Sequence, residues 1–209
     1  MKIVVVDYGV GNIHSAIKGL KRFTDNVVLS EDPAEIRAAS ALVLPGQGAF
    51  KTGMEGLRVR GLLEEVKQAA AAGKPILGIC LGAQLLLAKG FEFGEHEGLG
   101  LLPGKVAHFP ALQDGAKIPH MGWNAIEEPT PGKWKGTALE GLRSGAEMYF
   151  VHSYILQPTD PAHVLATTLY GGLRFPSVIG KGNMIGCQFH PEKSGEGGLR
   201  IIRNFVELI

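Results

Sequence analysis

The sequence predicts an α/β fold: a doubly wound mixed sheet, largely parallel in its first half, with helices on both faces and an antiparallel extension. Three observations predict it. Before residue 90, short unbroken apolar runs such as Ile3-Val4-Val5-Val6 alternate with amphipathic stretches, the pattern of β-α units whose strands are covered on both faces. The runs end in Gly- or Pro-marked turns, where helices can start. After Lys89 the rhythm changes to short strand-like runs between Pro/Gly-rich turns, the pattern of antiparallel strands.

Taken in order, Lys2-Ile3-Val4-Val5-Val6-Asp7 is the first strand. Tyr8-Gly9-Val10-Gly11-Asn12 turns into a helix with Ile13, Ala16, Ile17 and Leu20 on one stripe and Lys18, Lys21 and Arg22 outside it. This turn lacks the third glycine of a dinucleotide-binding loop, so it reads as a β-α turn, either plain or used to position a ligand or partner. Residues 27–29 form a second strand, and Asp32-Pro33-Ala34-Glu35 is an N-cap acid, a proline at the first helical position and an acid at the third. Ala41-Leu42-Val43-Leu44 is the third strand and ends in the glycine-rich loop Pro45-Gly46-Gln47-Gly48. A helix over residues 62–72, stopped by Gly73, leads to Pro75-Ile76-Leu77, and Gly78-Ile79-Cys80-Leu81-Gly82 then opens a helix over 83–88. The later runs, at 104–107, 123–128, 147–151, 164–169, 177–180 and 184–189, are expected to extend the same sheet and pack over it. A closing helix over 195–208 turns Leu199, Ile202, Phe205 and Val206 to the core.

Bulk properties narrow the function. With 209 residues, 45% apolar and 20% charged, the chain can build one large core, and a single domain over 1–209 is expected. A net charge of +1, with no basic cluster interleaved with aromatics, excludes nucleic acid as the natural partner. No uncharged apolar run reaches the ~18 residues of a membrane span. Only four apolar residues separate Met1-Lys2 from Asp7, too few for a signal-peptide core, so a cytoplasmic protein is expected. The two cysteines form no C-x-x-C unit and the seven histidines no H-E-x-x-H, so neither a metal nor a cofactor is expected.

Chemistry concentrates at Cys80. Glycines two residues before and two after it allow a sharp strand-to-helix turn, with the helix packed close to the sheet. A thiolate there would face exposed N–H groups at a helix start. Alone, Cys80 reads equally as a small buried core residue. A thiol nucleophile needs a base and the base an orienting group, and Phe189-His190-Pro191-Glu192 supplies both. His190 ends an apolar strand, Glu192 lies two residues on, and Pro191 stiffens the spacing between them. Cys187, two residues before Phe189, is read as strand core.

Pro45-Gly46-Gln47-Gly48, Gly78-Ile79-Cys80-Leu81-Gly82-Ala83-Gln84 and Phe189-His190-Pro191-Glu192-Lys193-Ser194 resemble the three signature stretches of triad-type glutamine amidotransferases, and the resemblance covers nearly the whole chain. Asp7-Tyr8-Gly9-Val10-Gly11-Asn12 and Pro119-His120-Met121-Gly122-Trp123-Asn124 resemble stretches of the glutaminase subunits of imidazole glycerol phosphate synthases. The resemblance implies a flavodoxin-like sheet and hydrolysis of glutamine to glutamate and ammonia, with Cys80 as nucleophile, His190 as base and then acid, and Glu192 as orienter. It implies backbone oxyanion donors at Leu81 and in the preceding loop. There Gln47 stands where relatives carry a small or β-branched apolar residue, so the second donor is Gln47 or Gly48. Gln84, Glu92 and the backbone of His152-Ser153-Tyr154 match glutamine-binding positions. The implied partner is a separate (β/α)8-barrel cyclase that uses the ammonia in histidine biosynthesis.

A partner also follows from chemistry, because ammonia released into water near pH 7 is mostly protonated and no longer nucleophilic, so its path must be sheltered. Met121 and Trp123 are the large side chains expected at that interface, although Trp123 could equally be a core aromatic. Asn12 and Lys193 match partner-facing positions of the family. Three other readings remain at this level: the glutaminase subunit of a different synthase, a stand-alone cysteine peptidase or esterase of the same architecture, and a non-catalytic binding subunit, which the complete triad disfavours.

Overall fold

The computed structural model describes residues 1–113 and 115–209. Its centre is a seven-stranded sheet. The first half supplies β1 (Ile3–Val6), β2 (Val27–Ser30), β3 (Ala41–Leu44) and β4 (Ile76–Ile79), all mutually parallel where they pair. From the second half come β11 (Val164–Tyr170), β12 (Leu173–Lys181) and β13 (Met184–Cys187), in the order β11-β12-β13-β4-β3-β1-β2. β13 lies parallel to β4, whereas β11 and β12 form the antiparallel extension. β1, β3 and β4 read as continuous apolar runs because both faces are covered, whereas the edge strand β2 leaves Leu29 exposed. Ile3, Val5, Val43 and Leu77 pack with α1 (Ile13–Leu20) and α6 (Gly195–Glu207). Val4, Val6, Leu42 and Ile76 pack with α2 (Pro33–Ala38), α3 (Phe50–Val59), α4 (Leu63–Ala71) and α5 (Leu81–Leu85). The α2 start is capped as its sequence predicts, with the Asp32 carboxylate accepting from Ala34 N–H at 2.8 Å.

Two expectations are corrected. The helix predicted over 83–88 is the five-residue α5, and β5 (Leu87–Gly90) follows at once. The carbonyls of Leu85, Leu86, Leu87 and Ala88 accept from Leu99, Leu102, Gly100 and Gly98, so a second segment takes the acceptors a longer helix would use. Not all later strands extend the main sheet: β5, β6 (His96–Glu97), β7 (Leu102–His108) and β10 (Tyr154–Pro158) form a separate four-stranded sheet, and β8 (His120–Ile126) pairs only with β9 (Ala146–His152). Helix α3 and strands β6 and β10 have no counterpart in the sequence reading.

Candidate active site

Cys80 joins β4 to α5 at φ 49°, ψ −103°, a left-handed conformation that costs a non-glycine residue about 1–3 kcal/mol. Both its backbone groups hold it there: its N–H donates to Cys187 O at 2.7 Å, and its carbonyl accepts from Gln84 N–H at 3.1 Å. A Cβ on Gly82 would collide with the Leu44 carbonyl, so only glycine lets α5 lie this close to β3. A Cβ on Gly46 would strike the Ile79 carbonyl and sit 2.5 Å from Leu81 N, so the loop after β3 is pressed against the elbow. With five residues, α5 offers oriented N–H groups at Leu81 but only a short peptide dipole.

His190 reaches the same place because β13 lies parallel to β4, with Cys187 opposite Ile79. His190 N–H donates to Tyr149 O at 2.9 Å, and the Ser194 hydroxyl donates to His190 O at 2.6 Å while accepting from Tyr149 N–H at 2.9 Å. A 3₁₀ turn, Pro191–Lys193, folds Glu192 back so that Nδ1 of His190 donates to its Oε1 at 2.8 Å, with both side chains buried. Burial alone would pull the imidazole's pKa down. The thiol of Cys80 and the carboxylate of Glu192 outweigh it and hold the value up to about 9. Nε2 of His190 and Oε2 of Glu192 are buried with no partner at hydrogen-bond geometry among the described residues. The upward shift favours the protonated ring, an acid beside a sulfur nucleophile.

A cavity of about 330 Å³ opens over Cys80. Gln47, Gly48 and Leu81 line it on the elbow side, Gln84 and Glu92 farther round, and Val151 with His152, Ser153 and Tyr154 opposite. All the predicted oxyanion and glutamine-binding residues thus share one cavity, with His190 and Glu192 buried behind it. Glu92 is anchored, its Oε2 accepting from Phe50 N–H at 2.6 Å at the start of α3. A second cavity, of about 260 Å³ at the turn between β12 and β13, contains neither the thiol nor the imidazole. Cys187 is fully buried and burial pushes its thiol pKa up, as a core residue requires.

The sequence pattern of class-I glutamine amidotransferases matches residues 4–208. The chain belongs to this family. It is similar, at 48% identity over 99% of both chains, to imidazole glycerol phosphate synthase subunit HisH 1 of Legionella pneumophila (strain Lens). It is 47% identical to subunit HisH of Symbiobacterium thermophilum over 100% of this chain and 94% of that one. Among solved structures, a glutamine amidotransferase superposes with a TM-score of 0.75 at 23% identity, covering 98% of this chain and 97% of that one. PurLQS from Thermotoga maritima superposes with a TM-score of 0.73 at 20% identity, covering 99% and 98%. These two likenesses carry the fold alone.

In this amidotransferase Met121 and Trp123 are 67% and 55% exposed, so Trp123 is not a core aromatic. Its ring meets Tyr149 edge-on at 6.1 Å and ends 4.0 Å from the Cβ position of Gly195, which places it beside the Lys193 turn. Asn12 and Lys193 are half-buried; Asn12 starts α1, and Lys18 of α1 and Arg22 in the turn after it line a groove with Lys193. Three supporting residues escaped the sequence reading. Gln188 is fully buried with Nε2 3.7 Å from Cys80 Sγ, Ser194 ties the His190 turn to β9, and Tyr8 donates its hydroxyl to the Pro45 carbonyl. Tyr8 and Ser194 lie in stretches already singled out, and Gln188 directly precedes one. Their roles depend on contacts 37 to 108 residues away in the chain, which spacing does not encode.

Proposed function

We propose that this amidotransferase is the glutaminase subunit of an imidazole glycerol phosphate synthase, acting in histidine biosynthesis as one domain beside a (β/α)8-barrel cyclase in the cytoplasm. The observation that carries the reading is the buried His190–Glu192 pair behind a strained Cys80 that opens into a cavity. The 48% identity to a HisH subunit supports the choice of synthase. Among the described residues, no helix is long and apolar enough to cross a membrane.

The Cys80 thiolate attacks the side-chain amide carbon of glutamine, forming a C–S bond and an oxyanion. N–H groups of Leu81 and of Gln47 or Gly48 receive that charge. Protonated His190 gives its proton to the amide nitrogen as the C–N bond breaks, so ammonia leaves and a thioester remains. Neutral His190 then takes a proton from water, whose oxygen attacks the thioester; glutamate departs and the cycle closes. Gln84, Glu92 and the His152–Tyr154 backbone hold the substrate, and Asn12, Met121, Trp123 and Lys193 face the barrel. Ammonia release from glutamine is measured for the chain alone and with the barrel cyclase and its ribonucleotide ligand. Turnover that rises with the cyclase and falls about 10³-fold or more in Cys80→Ser is expected. Turnover of an aryl ester by the isolated chain with indifference to glutamine would instead make it a stand-alone cysteine hydrolase.

A further inference from the structure

One continuous set of hydrogen bonds joins Cys80 to strand β8. Gln188 Nε2 points at Cys80 Sγ (3.7 Å), and its Oε1 accepts from Gln84 Nε2 (3.3 Å), which also donates to the Tyr154 carbonyl (3.4 Å). That carbonyl accepts a second bond from His152 Nδ1 at 2.8 Å. His152 Nε2 faces His120 Nδ1 at 3.1 Å, and His120 Nε2 faces Asn124 Nδ2 at 3.3 Å. Asn124 is oriented independently, since its Oδ1 accepts from Ala125 N–H at 2.8 Å and its Nδ2 donates to Leu169 O at 3.1 Å.

Only one arrangement of protons satisfies the chain. A carbonyl accepts, so His152 carries its proton on Nδ1, and its Nε2, in a neutral ring, accepts from His120 Nδ1. His120 Nε2 in turn accepts from the Asn124 amide. Burial keeps both rings neutral, with His120 pushed down to about 4 and His152 to about 3. His120 is also fixed in plane, stacked on Phe150 at 4.7 Å and on Tyr170 at 4.0 Å. It is 2% exposed and does not line the cavity. Side chains alternate along β8, so His120 and Asn124 point inward while Met121 and Trp123 point out.

We propose that His120 is a positioning residue for glutamine hydrolysis: by donating to His152 it fixes the Tyr154 carbonyl, and with it the 152–154 loop and the Gln84–Gln188 arm on Cys80. The inference rests on the proposed function, in which that loop and Gln84 hold glutamine. In the complex with the barrel cyclase, His120→Phe keeps the stacked ring and deletes the donor, whereas His120→Asn keeps a donor near the Nδ1 position. Leaving a buried acceptor unpaired predicts a rise of about tenfold in the KM for glutamine in His120→Phe, with kcat within about threefold of wild type. His120→Asn is expected to return KM to within about threefold of wild type. Long-range ¹H–¹⁵N spectra of the imidazoles supply a readout independent of turnover. His152 is expected in the Nδ1–H tautomer in wild type and His120→Asn, and in mixed tautomers in His120→Phe. A wild-type His152 protonated on Nε2, a wild-type KM in His120→Phe, or equal losses in both variants would overturn the inference. Absence of glutaminase activity in the wild-type complex would overturn the proposed function instead, with the wild-type tautomer still testing the relay.

Discussion

The carboxylate of Glu192 does more than orient a ring. His190 sits where burial opposes its charge, yet Cys80 and Glu192 raise its pKa from 6.5 to about 9. A raised folded-state value means that the protonated ring stabilises the fold, fully so below pH ~6.5. This contribution disappears as pH climbs through about 9. Its size is on the order of 3 kcal/mol, enough to show in an unfolding curve. Urea midpoints at pH 6 and pH 9.5 are therefore expected to differ in the wild type and to differ less in Glu192→Gln, which keeps the shape and removes the carboxylate's share of the shift while leaving that of Cys80. A slope of equal size in the variant would assign the pH dependence to other groups. The pairing of His190 with Glu192 was legible in the sequence because two residues separate them. That Gln188 also points at the sulfur was not, because its partners Cys80 and Gln84 are 108 and 104 residues away.

Elements decide how close the thiol can come to its oxyanion donors. α5 lies against β3 only because residue 82 has no side chain, and a methyl group there would meet the Leu44 carbonyl. Alanine is the better helix former by about 1 kcal/mol, so propensity alone predicts that Gly82→Ala stabilises. The collision is with backbone, which cannot swing aside, and overpacking of this kind costs about 1–3 kcal/mol. Gly82→Ala is accordingly expected to lower stability by about 1–2 kcal/mol and to reduce glutaminase activity by displacing Leu81 N–H. Gly182→Ala, where a Cβ meets nothing within 4 Å but φ is +57°, is expected to lose about 1 kcal/mol and retain activity. Unchanged activity in a folded Gly82→Ala protein would detach the close packing from the chemistry. The same elbow shows where sequence periodicity stops. Ala83-Gln84-Leu85-Leu86-Leu87-Ala88 carries a helical composition, and its first half is helix; after the turn at Leu86 the chain is strand from Leu87, because residues 98–102 bond to its carbonyls. β1, β3 and β4 were legible because each is buried on both faces, which only an unbroken apolar run satisfies. The partition of the later strands among three sheets was not, since alternation reports a half-buried strand without naming its neighbour.

At the scale of the whole molecule, the sheet order explains why three distant stretches of chain meet. β13 pairs with β4 in parallel, so Cys80 and His190 emerge side by side at the carboxyl ends of adjacent strands, where open α/β sheets place ligands. β8 and β9 then stand as a two-stranded ribbon against that end, with His152 in the cavity wall and Trp123 on the outside. Under the proposed function the outer side of this ribbon is the face the barrel covers, and the chain carries its own probe for it. Of its two tryptophans, Trp134 is 4% exposed and donates Nε1–H to Leu165 O at 2.7 Å, whereas Trp123 is 55% exposed. Docking that removes Trp123 from water is expected to shift the emission to shorter wavelength. Trp123→Phe is expected to abolish that shift and, as loss of a central aromatic, to weaken binding about tenfold. Trp134 contributes a constant blue component because its surroundings are already dry. If the cyclase stimulated glutamine hydrolysis while Trp123 emission and the affinity of Trp123→Phe stayed as in the free and wild-type proteins, the barrel would have to dock on another face. The exposed pair Met121 and Trp123 would then need a different occupant.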